Sequence, residues 1–523
     1  MERKLGLWLL VTSLLLASVA SAQTFRGTIL GTVTDPSGAV IAGANVKAHN
    51  IDTGLERETQ TSADGSYTLP ELPLGTYDVT ISQSGFQTSI SKGVVVNVAA
   101  QSRVDISMKP GQVSQQVEVT GEVPMVNTTN NDLGGILTAK TIENIPVNGR
   151  DYTKLIYLNP GVAGSPDQIT DSPGSFGVFS MNGSRGRSNN FLLDGTDMND
   201  GFRNDPAINE AGVFGDPATI LPVDAVAELH VLSNYQAEYG RNSGAVVNIV
   251  TKSGTNNWHG TALEYWRSGA LGARNYFNIA SQPKNAFLNN QFGGSLGGPI
   301  VKDKAFFFVN YEGQREGGAQ AGLSIVPTSA QIQAAELAAP SLSQPILNLL
   351  ARNPWPSPNI PGVSCDPTDL TGCSGGANLA TSTRFFNNVD SVITKLDYNP
   401  NTNNSITGRY YFGNSHQSFP FAQLAGGILP GFNTVTPTRV QLVSLSWVKV
   451  VNSSQVNEAR VGWNRFAEGF FPEDQGFDPN SIGLNTGVSP YDSGLPKISV
   501  GGFSPLGATA SVPRPRVDTN RQF

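Results

Sequence analysis

The sequence predicts a mainly β, exported protein with an N-terminal β-sandwich, a mixed α/β unit, and the first part of a transmembrane antiparallel β-barrel. Three observations carry that expectation. Gly (57) and Pro (33) are abundant and no long helical heptad appears, which favours strands and turns over bundles. Charged residues make up only 14% of the chain, well below the roughly 25% of an average soluble protein. Strand-like runs rich in aromatics and glycine recur through the C-terminal half. At 523 residues the chain exceeds what one core usually serves, so two to four domains are expected.

The N-terminus gives the sharpest local signal. Arg3 and Lys4 precede an apolar run from Leu5 to Val19, followed by Ala20-Ser21-Ala22 and Gln23. A short positive region, a short apolar stretch and an A-x-A site describe a secretory signal peptide over residues 1–22, cleaved after Ala22. An uncleaved anchor is the alternative, and the small-residue site disfavours it. No other stretch approaches about 18 consecutive apolar residues, so no membrane helix is expected in the mature chain. A net charge of −7 offers no basic footprint for nucleic acid. The histidines, at 49, 230, 259 and 416, stand too far apart to suggest a metal site, and no cofactor is expected. Cys365 and Cys373 are the two cysteines. In an oxidising compartment they are expected to close a small loop disulfide.

Residues 23–110 alternate short strand-like segments with DPSG, DTG, DG and LPLG turns, the pattern of an antiparallel β-sandwich. The succession Gly31-Thr32-Val33-Thr34-Asp35, Gly43-Ala44-Asn45-Val46, Asp64-Gly65-Ser66-Tyr67, Leu72-Pro73-Leu74-Gly75-Thr76-Tyr77 and Gly85-Phe86 resembles the carboxypeptidase regulatory-like domain. The peptidase chemistry in that name would need zinc ligands such as His-x-x-Glu, which the chain lacks, so the unit is expected to be a scaffold. Residues 111–130 are polar and linker-like, with one strand-prone patch at Val117-Glu118-Val119-Thr120. Taken alone the patch fits incidental valines or a strand held ready to add to another sheet.

From 131 to 254 the pattern turns mixed. Thr141–Pro146 and Asp151–Leu158 look like short helices, Phe191–Leu193 and Gly244–Thr251 like strands, and Val223–Leu229 like a helix leading into His230–Leu232. Strand-like runs then fill 255–523. In Ala305–Glu312, Phe307, Val309 and Tyr311 share one face, while Asn310, Glu312 and Gln314 share the other. Lys395, Asp397, Arg409, Glu458 and Arg460 add charge to the polar face of later runs. An apolar face against lipid and a polar face inside fits an outer-membrane barrel, with a large soluble sandwich as the alternative.

Three segments together resemble the plug domain of TonB-dependent outer-membrane receptors. They are Pro146–Asp151, Phe191-Leu192-Leu193-Asp194-Gly195, and Gly240–Gly254 with Gly244 and Asn248 inside it. Phe292–Ile300 followed by Lys304–Phe308 resembles the first barrel strands of the Oar-like branch, which also carries a regulatory-like domain in front of its plug. The resemblance implies a plug at 131–254, a barrel part at 255–523, and a TonB box at Val117, Glu118, Val119 and Thr120. It also implies active uptake across the bacterial outer membrane, with the N-terminal domain and plug facing the periplasm. The partners would be TonB, outer-membrane lipid and an extracellular substrate: siderophore, cobalamin, glycan or peptide. A surface adhesion or signalling protein on the same scaffold is the alternative, though it would need neither plug nor coupling strand.

Residues 181–201, MNGSRGRSNNFLLDGTDMNDG, crowd Asp194, Asp197 and Asp200 together. A calcium loop of the D-x-[DN]-x-[DN]-G kind fails, because Thr196 or Gly201 falls where a ligand belongs. Acid–base chemistry needs a partner in a dry pocket, and the sequence shows no sign of one. The stretch is expected to turn the chain, with display of ligand-contacting loops as the remainder. Gly293-Gly294-Ser295-Leu296-Gly297 satisfies the G-x-S-x-G elbow of hydrolases, but a strand is expected to run through it, so no enzyme is expected. At about ten residues per strand, residues 255–523 supply roughly eight to ten strands. A plugged barrel has about 22, so the chain reads as the N-terminal part of a longer receptor.

Overall fold

The computed structural model describes residues 26–111, 116–119, 133–164, 179–209, 212–213, 216–235, 239, 242–274, 284, 286–339, 341–369, 372–420, 427–452, 455–487, 493–509 and 512–523. The expected signal peptide (1–22), most of the expected linker and Thr120 lie outside the described residues.

The front unit contains β1 (Gly27–Thr34), β2 (Asn45–Asn50), β3 (Glu56–Gln60), β4 (Ser66–Leu72) and β5 (Gly75–Ser82). It continues with β6 (Thr88–Val96), β7 (Gln101–Arg103), β8 (Ile106–Ser107) and β9 (Gln116–Val119). Two sheets face each other, one ordered β4-β1-β7 with β8 also on β1, the other β3-β2-β5-β6-β9. Strict alternation of buried and half-buried residues in β1 and β2 sends Ile29, Val33, Val46 and Ala48 into a shared core with Leu69, Val79 and Ile81. The buried phenols are satisfied by carbonyls: Tyr67 donates to Val104 O and Tyr77 to Pro73 O, both at 2.7 Å. Gly31 is required where the chain between β7 and β8 runs against β1, since a Cβ there would sit 1.9 Å from Val104 O. The run forming β6 escapes a period-two reading because Lys92-Gly93 bulges against β5, with Gly93 at φ +74°.

The middle unit contains β10 (Leu133–Thr138), β11 (Val162–Ala163), β12 (Ser180–Met181), β13 (Asn190–Leu193) and β14 (Thr196–Asp197). Then come β15 (Gly212–Val213), β16 (Asp216–Pro217), β17 (Val226–Asn234) and β18 (Val246–Thr251). Its main sheet has the order β10-β17-β18-β13-β14. Every residue of β13 and β18 is buried, as expected of a sheet covered on both faces. Short helices α1 (Ala139–Asn144) and α2 (Thr153–Ile156) pack Ile142, Leu155 and Ile156 into its core. One expectation is corrected: the helix expected over Val223–Leu229 is a single 3-10 turn, Val223–Ala225, and the chain is a strand from Val226 on. Pairing with both β10 and β18 supplies the backbone partners that override the local helical pattern.

The outer unit is an eight-stranded antiparallel meander in chain order. It begins with β19 (His259–Ser268), β20 (Phe287–Val301), β21 (Ala305–Ser324) and β22 (Leu379–Asn401). It ends with β23 (Asn404–Phe419), β24 (Thr434–Asn452), β25 (Gln455–Pro472) and β26 (Arg514–Gln522). Its inward residues Phe308, Ile393, Tyr411, Val440, Leu442 and Phe466 join one core with Phe191, Leu193, Val247 and Ile249 of the middle sheet. Its outward residues, among them Leu296, Tyr311, Leu396, Leu445 and Val461, are exposed and apolar, as a lipid-facing surface requires. Strands β20 to β25, at 15 to 23 residues, are longer than the ten residues expected. At 20 residues, β21 spans about 66 Å, twice the roughly 30 Å hydrocarbon layer. It therefore runs on into a cap built from α3 (Ser329–Ala338), α4 (Gln344–Leu350) and the apolar cluster Val326, Leu349, Leu379, Leu429, Ile482, Leu495 and Leu506. The Cys365–Cys373 disulfide lies in this cap. The strand β20 runs straight through the G-x-S-x-G decoy.

Candidate functional site

The junction between the middle sheet and the outer wall holds the strongest polar constellation. Its centre is the turn between β13 and β14, where Leu193 pairs with Thr196. Asp194 (φ +46°) and Gly195 (φ +71°) make that turn in the left-handed region, which glycine and aspartate tolerate better than most residues. The Asp194 carboxylate is buried and fully engaged. Oδ1 accepts the Thr251 amide at 2.8 Å, and Oδ2 accepts the Thr251 hydroxyl at 2.7 Å. From the wall, Arg409 Nη1 reaches Oδ2 at 2.8 Å and Lys395 Nζ stands 3.8 Å from Oδ1.

The same cations also bind backbone. Arg409 donates to Leu193 O, Lys395 to Thr251 O at 3.0 Å, and Arg460 to Gly195 O. Arg460 is itself paired with Glu458. Burial alone would raise the Asp194 pKa. The charges of Lys395 and Arg409, with the Thr251 hydrogen bonds, outweigh it and hold the carboxyl below its ordinary value.

A second junction forms around Arg150, also a left-handed residue at φ +52°. Its guanidinium pairs with Asp224 at 2.5 Å within the middle unit and with the wall's Glu312 at 3.3 Å. It lies 4.5 Å from the Tyr265 ring centroid. Neutral contacts complete the seam: Tyr411 OH donates to Ile220 O at 2.7 Å, and Asn464 donates to Asp197 O at 3.2 Å. The middle sheet is thus pinned to the wall by buried ion pairs, wall-to-backbone hydrogen bonds and one shared apolar core. Electrostatically it is a lock rather than a reaction centre.

The expected residues are distributed as follows. Asp194 and Gly195 sit at the centre of the lock. Asp197 accepts the Asn199 amide, and Asp200 accepts those of Phe202, Arg203 and Asp205 while its Oδ1 also stands 3.6 Å from Arg516 Nη1 of the wall. The reading of this stretch as only a turn is therefore too weak for Asp194 and Asp200, whose cationic partners on the wall, Arg409 and Arg516, lie more than 200 residues away in the chain. Gly244 lets the chain pass Ser188, whose carbonyl would lie 2.7 Å from a Cβ there. Asn248 is buried in the middle sheet, opposite His230 on one side and Leu192 on the other. Val117, Glu118 and Val119 lie in β9 on the front sheet. The signal that could have found the lock was present: Lys395, Arg409 and Arg460 stood out as wall charges, but their common target did not.

A third seam joins the front unit to the middle sheet. The Val98 amide donates to Glu228 Oε2 at 2.8 Å, and Val98 packs on Val250. Burial pushes the Glu228 carboxyl up to about 7, and burial depresses the neighbouring His230 to about 4.

Comparison with known proteins places this architecture. Residues 250–523 match the outer membrane beta barrel domain family, and residues 28–109 match the carboxypeptidase regulatory-like domain. More than half of the chain is covered by the first match, so the protein belongs to the outer-membrane β-barrel family and its location is the outer membrane. It is 30% identical over 314 residues to the TonB-dependent transporter Oar of Myxococcus xanthus, covering 57% of this chain and 27% of that protein. Over 175 residues it is 27% identical to the probable TonB-dependent siderophore receptor PirA of Acinetobacter baumannii, covering 32% of this chain and 21% of that protein. Among solved structures, a ferric enterobactin receptor of Pseudomonas aeruginosa is similar with a TM-score of 0.41 at 14% identity, covering 75% of this chain and 46% of that one. The chain spans about a quarter of the length of the curated relatives it matches.

Proposed function

We propose that this receptor takes up an extracellular substrate across the outer membrane, driven by TonB, with residues 131–254 as the plug. The observation that carries this reading is the lock itself. The middle sheet shares a core with the wall and is clamped to it at Asp194 and Arg150, so anything passing along the wall must wait for part of that sheet to move.

The sheet order supports a way to move it. Among the described residues, β10 is an edge strand whose one partner is β17, starting at Leu133↔Asn234. The Asp194 turn lies at the opposite edge, between β13 and β14. A pull from the N-terminal side therefore unzips β10 one pair at a time while the locked edge stays on the wall. Val117, Glu118, Val119 and Thr120 are the proposed coupling strand, which would pair with TonB through backbone hydrogen bonds. Ferric siderophores are the substrates to test first, since PirA and the ferrienterobactin receptor of Escherichia coli, 28% identical over 178 residues, are receptors for such compounds by name. Cobalamin, glycans and peptides follow.

The test is accumulation of labelled substrate by cells carrying the complete gene, with and without TonB, and with Val119→Pro. Proline removes a backbone donor and should abolish accumulation while leaving surface binding intact. Accumulation that ignores both changes overturns the proposal.

A further inference from the structure

The proposed coupling strand is not a loose tail. Gln116–Val119 run parallel to β6 in the register Thr88↔Gln116, Ser89↔Val117, Ile90↔Glu118 and Ser91↔Val119. On its other side the same stretch of β6 pairs with β5, through Val79↔Ser91, Thr80↔Ile90 and Ile81↔Ser89. β9 therefore completes the front sheet. Without it, Thr88–Ser91 would present an unpaired row of amides and carbonyls, an edge that accepts extended segments.

The approach to β9 is tied to the same region. Phe86 bridges Pro110, the Gln87 amide donates to Lys109 O at 2.9 Å, and the Gly111 amide donates to Gly85 O at 3.1 Å. The chain is thus led along the front unit as far as Gly111, a few residues before the strand begins. So short a tether gives β6 a high effective concentration of its own strand, against which any outside partner must compete.

We propose that the front domain retains the coupling strand on β6 in the resting receptor, and that the energy-coupling partner engages it only after it leaves. This rests on the reading of Val117–Thr120 as the coupling strand. While β9 shares its ladder with β6, a pull on it loads the front sandwich, a folded unit with its own core, instead of passing along the chain to β10. Release from β6 is what connects the partner to the plug. The regulatory-like domain then sets the threshold for coupling, and so does any ligand that loosens it.

The test is a reversible staple. Ile90→Cys with Glu118→Cys places two thiols on paired positions of neighbouring strands, which lie about 4.8 Å apart and within disulfide reach. The full-length protein in outer membranes is oxidised without substrate, the bridge is read by mass spectrometry, and capture by the purified periplasmic domain of TonB is measured. The expected result is a bridge in most molecules, at least a tenfold loss of capture, and recovery on reduction. Failure of the bridge to form, or equal capture by the bridged and reduced forms, overturns the proposal. Val119→Pro separates the two ideas. Normal capture by that variant rejects the coupling strand itself, and retention with it. Lost capture by Val119→Pro, alongside normal capture by the bridged protein, rejects retention alone.

Discussion

Asp194 and Arg409 meet at 2.8 Å although 215 residues separate them in the chain, and both are almost wholly withdrawn from solvent. The pair ties a turn of the inner sheet to the wall, and Lys395 and Thr251 complete its coordination. Removing one member of such a pair leaves the other as a buried, uncompensated charge.

Asp194→Asn should therefore destabilise the seat of the inner sheet by about 3–5 kcal/mol, the range for breaking a buried pair from one side. Hydrogen exchange of the detergent-solubilised protein is the measurement. Faster exchange is expected over 190–197 and 246–251, with little change in the front sandwich. Unchanged exchange at both segments would show that the pair does not seat the sheet.

Gly195→Ala addresses the turn rather than the charge. The residue sits at φ +71°, and a Cβ would approach Arg460 Nη1 to 2.5 Å. Because the neighbour is the end of a long side chain, it can yield, so the backbone conformation dominates at about 1 kcal/mol. The melting point should fall less than in Asp194→Asn, and the double variant should lose less than the sum, since both act on one seam.

Glu228 makes the docking of the front unit pH-dependent. Its folded pKa, about 7, lies above its unfolded value, so the folded state binds more protons. Its contribution is fully present below the unfolded value and is lost as pH rises through about 7. A shift of this size corresponds to at most on the order of 3 kcal/mol. His230 works the other way: depressed to about 4, it contributes above its unfolded pKa and loses that contribution as pH falls towards 4. The two oppose each other through the acid range. Glu228→Gln should unmask the histidine, so that stability now falls on acidification from pH 7 to pH 5, where the parent protein changes little. Melting curves across that range decide it, and parallel profiles for the two proteins would refute the assignment.

The Cys365–Cys373 bridge joins two cysteines eight positions apart in the cap. Reduction, or Cys365→Ser with Cys373→Ser, removes a constraint worth about 2–3 kcal/mol to the cap alone. Limited proteolysis should open 352–369 first, while the wall sheet keeps its melting temperature. A matching loss in the wall would mean that cap and wall unfold together.

Much of this architecture was legible along the chain. The alternation in Ala305–Glu312 predicts which side of β21 meets lipid, because a strand's side chains alternate whatever surrounds it. The turn-forming Asp194-Gly195 pair likewise announces a reversal. Local reading failed where a neighbour supplied what the segment lacked. Val226–Leu229 looks helical until two flanking strands satisfy its backbone.

What the sequence by itself determined is the order of units, their strand character, the faces turned to lipid and to the interior, and the family they resemble. All of these follow from short-range periodicity and motif. Only the tertiary structure decided that Asp194 is a clamp as well as a turn, that Glu228 receives the front unit, and that Gln116–Val119 lies on β6. Each of those depends on groups brought together from distant parts of the chain, and a charge or a strand edge carries no local mark of the partner that will neutralise or cover it.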